Sequence, residues 1–353
     1  MKFKKFRIGS REISPDNQPY LIAEVGINHN GDVGLAKKMV DAAKRAGADA
    51  VKFQTFKAQE LCGDKDQVFT YFSQGKEVSE SMLEMFLRYE LAEDAWFELK
   101  EYCDSVGITF FSSPQNLTDL NLLSKVGVPV IKVGSDDFSN LPLLESYSKY
   151  NLPIILSCGM SDLSDVHNAL NSTNWFDGCE VSVLLCTSSY PTNYEDVNLK
   201  KLKTIQNAFP GLIVGFSDHT RGSLAASMAV AFGASIFEKH FTLDNNFPGP
   251  DHWFSENEAG LKAWIDSIKE AYTLLGSPYV QPTKSEIDMR VLARRSLVVI
   301  QNIKKDEEIT NSNVGARRPG DGLPPNLLKS IIGLKASRDL LKGEKITMGD
   351  FVK

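Results

Sequence analysis

YLIAEVGINHNGDVGLAKKMVDAAKRAGADAVKFQT, residues 20–55, decides the fold. Its first run, 20–26, is apolar on both faces apart from Glu24. A polar Asn/Gly turn follows. In VGLAKKMVDAAKRAG (33–47) the apolar residues then recur at helical spacing, and Gly47 stands where a helix would end. DAVKFQT (49–55) is a second apolar run. A strand, a helix and a strand apolar on both sides describe a parallel sheet covered by helices. Working outward, the pattern repeats. Further strands are predicted at ITFFSS (108–113), VPVIKVG (128–134), PIILSCG (153–159), VSVLLCT (181–187), LIVGFSD (212–218) and SIFEKH (235–240). Helical periodicity marks 117–127, 163–171 and 259–276. Eight such units predict an α/β fold, the (β/α)8 TIM barrel. An open doubly wound sheet is the alternative, weakened because no G-x-G-x-x-G follows the first strand.

The length of 353 residues exceeds one barrel. The formal charge is −6, yet residues 291–353 hold 12 Lys/Arg against 7 Asp/Glu, so the last 63 residues form a basic unit on an acidic chain. GSPYVQPTKSE (276–286) carries the punctuation of a linker. The expected organisation is a barrel at 1–276, a linker at 277–290 and a small domain at 291–353. That domain contains an internal echo, IKKDEEIT (303–310) and LLKGEKIT (340–347), offset by 37 residues.

With 42% hydrophobic and 24% charged residues the composition is ordinary globular, and the acidic balance is a poor match for nucleic acid. Five cysteines without a C-x-x-C pair suggest neither a disulfide framework nor a zinc ribbon, and point to a reducing cytoplasm. The basic N-terminus lacks the apolar core of a signal peptide. AASMAVAFGASIF (225–237) is too short for a membrane span and reads as a buried helix running into a strand.

A barrel works at the C-terminal ends of its strands. Here those ends carry Glu24, Lys52, Gln54, Ser112, Ser113, Lys132, Ser135, Ser157, Ser188, Tyr190, Ser217, Asp218, His219, Glu238, Lys239 and His240. Each alone could be a satisfied structural residue. Every strand contributes polar groups, and buried charges are costly without partners or ligands, so the set points to a site. His219 and His240, on neighbouring strands, suit one divalent ion with positions left open, and Asp218 or Glu238 could assist. Lys52 and Lys132 among hydroxyls suit phosphate or carboxylate; a Schiff-base lysine is the alternative. Glu24, Asp136, Asp137 and Asp251 could bind hydroxyls or move protons. His29 and the PGPDHWF loop (248–254), with His252 and Trp253, could reach the same place.

AEVGINHNGD (23–32), GADAVKFQT (47–55), VPVIKVGSDDFSN (128–140), CTSSYPTNYEDVNL (186–199), GFSDHT (215–220), FEKHFTLD (237–244), PGPDH (248–252) and RRPGDG (317–322) together resemble the sialic acid synthases of the N-acetylneuraminate synthase type. The resemblance spans the chain. It implies a TIM barrel followed by an antifreeze-like SAF domain, and a domain-swapped homodimer. It also implies condensation of phosphoenolpyruvate with an N-acetyl hexosamine to a nine-carbon 2-keto sugar acid and phosphate. By motif, His219 and His240 would hold a divalent metal, Mn²⁺ first, with Mg²⁺ or Co²⁺ as alternatives. Lys52, Lys132, Ser113, Ser135, Ser157, Ser188, Tyr190 and Ser217 would hold phosphoenolpyruvate. Glu24, Gln54 and Asp251 would meet the sugar, and Arg318 would reach its N-acetyl end from the dimer mate. Asp137 replaces the Glu expected after the Lys–Gly–Ser strand, and FSQGKEVSES (72–81) lacks an expected Asn, so the acceptor stays open. N-acetylmannosamine and a 2,4-diacetamido-6-deoxy mannose lead; the pseudaminate branch is an alternative. A metal-dependent phosphosugar hydrolase or epimerase and a sugar-binding protein are the readings from other classes.

Overall fold

The computed structural model describes residues 3–64 and 66–352. The chain divides into two compact units, 1–276 and 277–353. In the first, eight parallel strands form the sheet: β1 (Tyr20–Gly26), β2 (Ala50–Thr55), β3 (Thr109–Pro114), β4 (Ile131–Val133), β5 (Ile154–Ser157), β6 (Val181–Cys186), β7 (Ile213–Asp218) and β8 (Ile236–His240). The ladder runs β3-β2-β1-β8-β7-β6-β5-β4. First and last strands therefore pair, as a barrel requires, and β3 lies beside β4 at the one seam without a ladder. The fold is a TIM barrel. β4 is only three residues long, starting after Val128–Pro129–Val130; Pro129 has no N–H to give to a ladder.

Eight principal helices cover the sheet: α1 (Val33–Ala46), α2 (Glu93–Val106), α3 (Leu117–Val126), α4 (Leu141–Ser148), α5 (Leu163–Ser172), α6 (Lys200–Ala208), α7 (Leu224–Ala231) and α8 (Glu258–Leu275). Their ends are written in the sequence. Asp32 caps α1 by accepting from Gly34 N and Leu35 N at 2.7 and 3.1 Å, and Gly47 ends it at φ 94°. Asp162 and Asp165 box the start of α5. Ala36, Met39, Val40 and Ala43 of α1 are fully buried against the sheet. Inside the barrel, a Cβ on Gly215 would come within 2.3 Å of Leu184 Cδ2, so the glycine makes room for that leucine in the floor beneath the site.

A two-stranded hairpin, Val68–Ser73 with Lys76–Ser81, and the helix Met82–Tyr89 interrupt the regular alternation after β2. Neither was expected from the sequence. Ile27, Phe56, Met85 and Tyr89 form their own apolar cluster there, separate from the barrel core.

The second unit holds a short helix (Ile287–Ala293), which falls partly in the stretch read as linker, and small antiparallel pairs around a core of its own. The 37-residue echo has structural meaning. Ile303 and Leu340 pair across an antiparallel bridge, and Ile309 and Ile346 are both buried. Asn302 Oδ1 accepts from Lys342 N, while its counterpart Asp339 Oδ1 accepts from Lys305 N, both at 2.8 Å. Each copy thus caps a turn of the other, as in a local two-fold pair.

Candidate active site

Strand register decides which polar residues meet. Side chains alternate between lumen and exterior, and the sequence places polar residues on both faces. Lys52 stands beside Glu24, and Glu24 beside His240; Ser217 stands beside Glu238. These face a cavity of about 590 Å³ at the C-terminal mouth of the barrel. Gln54, Ser113, Ser135, Ser157, Ser188, Tyr190, His219, Asp251 and Lys132 also line it.

At its floor sit four buried charges. Lys52 Nζ lies 2.8 Å from Glu24 Oε1 and 3.8 Å from Glu238 Oε2; Lys132 Nζ lies 3.7 Å from Glu238 Oε1. The lysines also donate to hydroxyls, Lys52 to Ser113 Oγ at 3.0 Å and Lys132 to Ser157 Oγ at 2.8 Å. The two carboxylates are driven apart. Burial pushes Glu24 up to about 7 against the pull of Lys52. Burial also opposes charge on Glu238, but Lys132 and Lys52 overcome it and hold its carboxyl below the usual range. Near neutrality one can carry a proton while the other stays ionised, leaving net positive charge on the floor. Burial lowers Lys132.

Beside the lysines is a hydroxyl cradle. Ser135 Oγ accepts from Gly159 N at 3.0 Å, and a Cβ on Gly159 would lie 2.4 Å from Ser188 Oγ and 2.6 Å from Ser135 Oγ. Ser188 Oγ, Glu24 Oε2 and Glu238 Oε2 are buried and have no hydrogen-bond partner among the described residues. Buried polar atoms left unpaired are costly, which fits a pocket built to bond something else.

The His219 and His240 rings are 5.3 Å apart between centroids. His219 Nδ1 bonds the Thr187 carbonyl at 2.8 Å, which leaves Nε2 as the lone-pair nitrogen in the neutral ring. Burial, then His219, hold His240 well below the ordinary imidazole value, so it is neutral and able to ligate. Its buried Nδ1 has no hydrogen-bond partner among the described residues and lies 3.9 Å from Asp251 Oδ2. Burial raises Asp251 to about 6. Among the described residues no three His, Cys, Asp or Glu side chains gather as a complete ligand set. The donor pair fits a divalent ion that also takes oxygens from substrate and water. The Tyr190 ring covers His219 at 4.2 Å.

Several expected residues fall elsewhere. Asp218 and Lys239 point outward: Lys239 Nζ bonds Asp218 Oδ2 at 3.1 Å, and Trp264 Nε1 of α8 donates to the same oxygen at 2.9 Å. Ser112 is also outside the cavity lining and pairs with Thr55 Oγ1 at 2.7 Å. His252 is a buried clasp between loops, and His29 lies buried in its own turn with Nε2 lacking a hydrogen-bond partner among the described residues. His252 bonds Thr242 Oγ1 at 2.7 Å and Asn30 Oδ1 at 3.1 Å, and His29 Nδ1 accepts from Gly31 N. Asp137 does not line the cavity; its carboxylate accepts from Asn140 Nδ2 at 3.0 Å, and Asp136 lines the rim instead. Arg318 is an exposed residue of the second unit. Cys186, Gln115 and an apolar wall also line the cavity, and sequence reading did not single them out. For Cys186 a signal existed: it ends β6 in register with Ser217. A shallower hollow of about 440 Å³ at the opposite end of the barrel holds Arg11 and Asp49, already paired to each other.

Comparison with known proteins identifies the family. The NeuB family model matches residues 39–279 and the SAF domain model residues 294–352. The chain belongs to the NeuB family. It is 39% identical to the N,N'-diacetyllegionaminic acid synthase of Legionella pneumophila, covering 92% of each chain. To the pseudaminic acid synthase of Helicobacter pylori it is 33% identical over 94% of this chain and 97% of that one. The crystal structure of the N-acetylneuraminic acid synthetase of Leptospira borgpetersenii superposes with a TM-score of 0.73 at 30% identity, over 81% of this chain and 95% of that one. As a member of this family of sialic-acid-type synthases, the NeuB chain is a carbon–carbon bond-forming transferase.

Proposed function

We propose that this NeuB-family enzyme condenses phosphoenolpyruvate with the aldehyde of an N-acetyl hexosamine, giving a nine-carbon 2-keto sugar acid and phosphate. The observation that carries this reading is the floor of the barrel, where two lysines and a serine cradle for an anion lie next to the histidine pair. Lys132 with Ser157, and Ser135, Ser188 and the Gly159 N–H, form the seat for the phosphate. Lys52 with Ser113 meets the carboxylate, and Ser217 and Tyr190 close the side next to His219. Such fixed donors stabilise charge without rearranging as it moves.

His219 and His240 would hold a divalent ion, Mn²⁺ with Mg²⁺ or Co²⁺ as alternatives, which when bound would polarise the acceptor's carbonyl oxygen as a Lewis acid. The chain's own groups do the rest. Glu24, Gln54 and Asp251 orient the acceptor, and holding both substrates replaces a bimolecular encounter with a positioned one. C3 of phosphoenolpyruvate forms the new bond to the aldehyde carbon, whose oxygen takes up a proton; Glu24, pushed up to about 7, holds one at the right height. Water adds to C2 and loses a proton, for which Asp251 or rim Asp136 is placed. The C2–O bond to phosphate then breaks as the C2 hydroxyl passes its proton to the departing phosphate, leaving the ketone. Arg318 would enter from the mate of a domain-swapped homodimer to bond the N-acetyl group. Cytoplasmic phosphoenolpyruvate supply suits the reading, and no helix among the described residues is long and apolar enough to cross a membrane.

The test is phosphate release from phosphoenolpyruvate with Mn²⁺ and N-acetyl hexosamines. Release that requires both substrates is expected. Release from a phosphosugar alone would support the hydrolase reading instead, and sugar binding without turnover the binding-protein reading.

A further inference from the structure

The strip Pro248–Gly249–Pro250–Asp251, in the loop after β8, is a thin partition between two hollows. Pro250 and Asp251 line the working cavity, whereas Pro248 and Gly249 line a second hollow of about 520 Å³ that faces the hairpin 68–81. A strip with space on both sides is not held in place by close packing. Nor does the Asp251 carboxylate anchor it. That group makes no hydrogen bond among the described residues, and its Oδ2 stands 3.9 Å from His240 Nδ1.

The anchor is the next residue. The His252 ring is fully buried and bonded at both nitrogens, Nε2 to Asn30 Oδ1 at 3.1 Å and Nδ1 to Thr242 Oγ1 at 2.7 Å. The strip wraps around this ring. A Cβ on Gly249 would lie 2.9 Å from His252 Cδ2 and 3.2 Å from Asn30 Oδ1, and the glycine takes φ 145°, which other residues rarely adopt. Phe247 meets the ring edge to face at 5.6 Å, and Asn245 Nδ2 donates to the His252 carbonyl at 2.8 Å. Two supports come from outside the loop. Ser73 Oγ of the hairpin accepts from Gly249 N at 3.1 Å. Asn28 Nδ2 donates to Ser255 Oγ at 3.1 Å, and that hydroxyl donates to the Asp251 carbonyl at 2.6 Å. Asn28 and Asn30 follow β1, which carries Glu24, and Thr242 follows β8, which carries His240. The knot therefore ties Asp251 to both of its neighbours in the site.

We infer that His252 is a positioning residue for the acceptor: bonded through its ring to Asn30 and Thr242, it sets the place of the Asp251 carboxylate relative to Glu24 and His240. This rests on the synthase reading above and deepens it by naming what holds one of the groups that orient the sugar. The anion cradle on β4, β5 and β6 lies outside the knot, so a loosened knot affects the acceptor and spares phosphoenolpyruvate. A ring that only held the fold together would affect both substrates alike.

The experiment measures phosphate release by the full-length Mn²⁺-loaded protein, varying phosphoenolpyruvate and the acceptor in turn. The acceptor is whichever of N-acetylmannosamine and 2,4-diacetamido-6-deoxy mannose the wild type uses better. His252→Gln, which cannot reach both ring partners, should lower kcat/KM for the acceptor about thirtyfold and leave phosphoenolpyruvate KM within about twofold. Asn30→Gly removes one of the two bonds and tolerates the left-handed backbone there, at φ 52°. It should lower the same constant about tenfold, and it carries the test if His252→Gln fails to fold. The deciding step is a double-mutant cycle with Asp251→Ala, or with Asp251→Asn if the alanine variant is too slow to follow. In that background Asn30→Gly should cost less than about twofold, because no carboxylate is left to misplace. A loss as large there as in the wild type, an equal rise in phosphoenolpyruvate KM, or wild-type kinetics in the single variants would overturn the inference while leaving the synthase reading intact. No release by the wild type with either sugar would overturn both.

Discussion

Two buried lysine–carboxylate networks lie one residue apart on the same pair of strands, and they differ in what they leave unfinished. Ser217 and Glu238 face the lumen, where Glu238 meets Lys52 and Lys132; Asp218 and Lys239 face outward under α8. The outer network is closed. Lys239 Nζ donates to Asp218 and to the carbonyls of Thr220 and Gly222, and Asp218 accepts from Thr220 and Trp264. The inner one retains Glu24 Oε2, Glu238 Oε2 and Ser188 Oγ without hydrogen-bond partners among the described residues, around a cavity. Equal cost of burying charge thus serves structure on one face and ligand binding on the other.

The largest effect expected from breaking the inner side is at the histidines. His219→Ala and His240→Ala should each lower turnover by about three orders of magnitude. They should also abolish Mn²⁺ binding measured by titration, with the far-ultraviolet circular dichroism unchanged. Retained metal affinity would remove the pair from that role.

A separate pH prediction comes from two buried loop histidines. Burial lowers both His29 and His252 to about 4 from an ordinary 6.5. Each therefore favours folding above 6.5, and its contribution is lost as pH falls towards 4, because the unfolded chain takes up the proton first. The loss per histidine is about 3 kcal/mol. Urea midpoints between pH 8 and 4 should fall, and His29→Gln should flatten the fall. An identical slope in the variant would show that burial is not what holds His29 neutral.

A smaller effect separates two neighbours. Asp136→Asn should reduce kcat/KM about tenfold, and Asp137→Asn less than twofold, since only Asp136 lines the cavity. Steady-state kinetics with the acceptor varied would decide; the reverse order would return the role to Asp137. Arg318→Ala should raise the acceptor KM several-fold and leave phosphoenolpyruvate KM alone; an unchanged acceptor KM would remove Arg318 from the proposed role.

The barrel was legible because its strands are apolar on both faces and its helices announce their caps: Asp32, Gly47, Asp162. The floor residues were legible because lysine and glutamate are rare at buried strand ends. What the sequence hid is direction. Ser112 and Ser113, Glu238 and Lys239, and Asp136 and Asp137 are adjacent pairs, and only the register of each strand and the turn after it decides which member enters the lumen. The wall hid for another reason: hairpin 68–81 alternates with no large core to bury and breaks the barrel's repeat, so its apolar residues read as loop.

The most direct measurement pairs Lys132→Met with Lys239→Met and records, for each, phosphate release per folded molecule and the urea midpoint. Lys132→Met should lose about a hundredfold or more in turnover with little change in midpoint, because Glu238 keeps Lys52. Lys239→Met should keep its turnover and lose about 3 kcal/mol or more of stability, because Asp218 is left buried without its cation. Full activity in Lys132→Met, or inactivity in a fully folded Lys239→Met, would contradict the division of the strands into a working and a structural face.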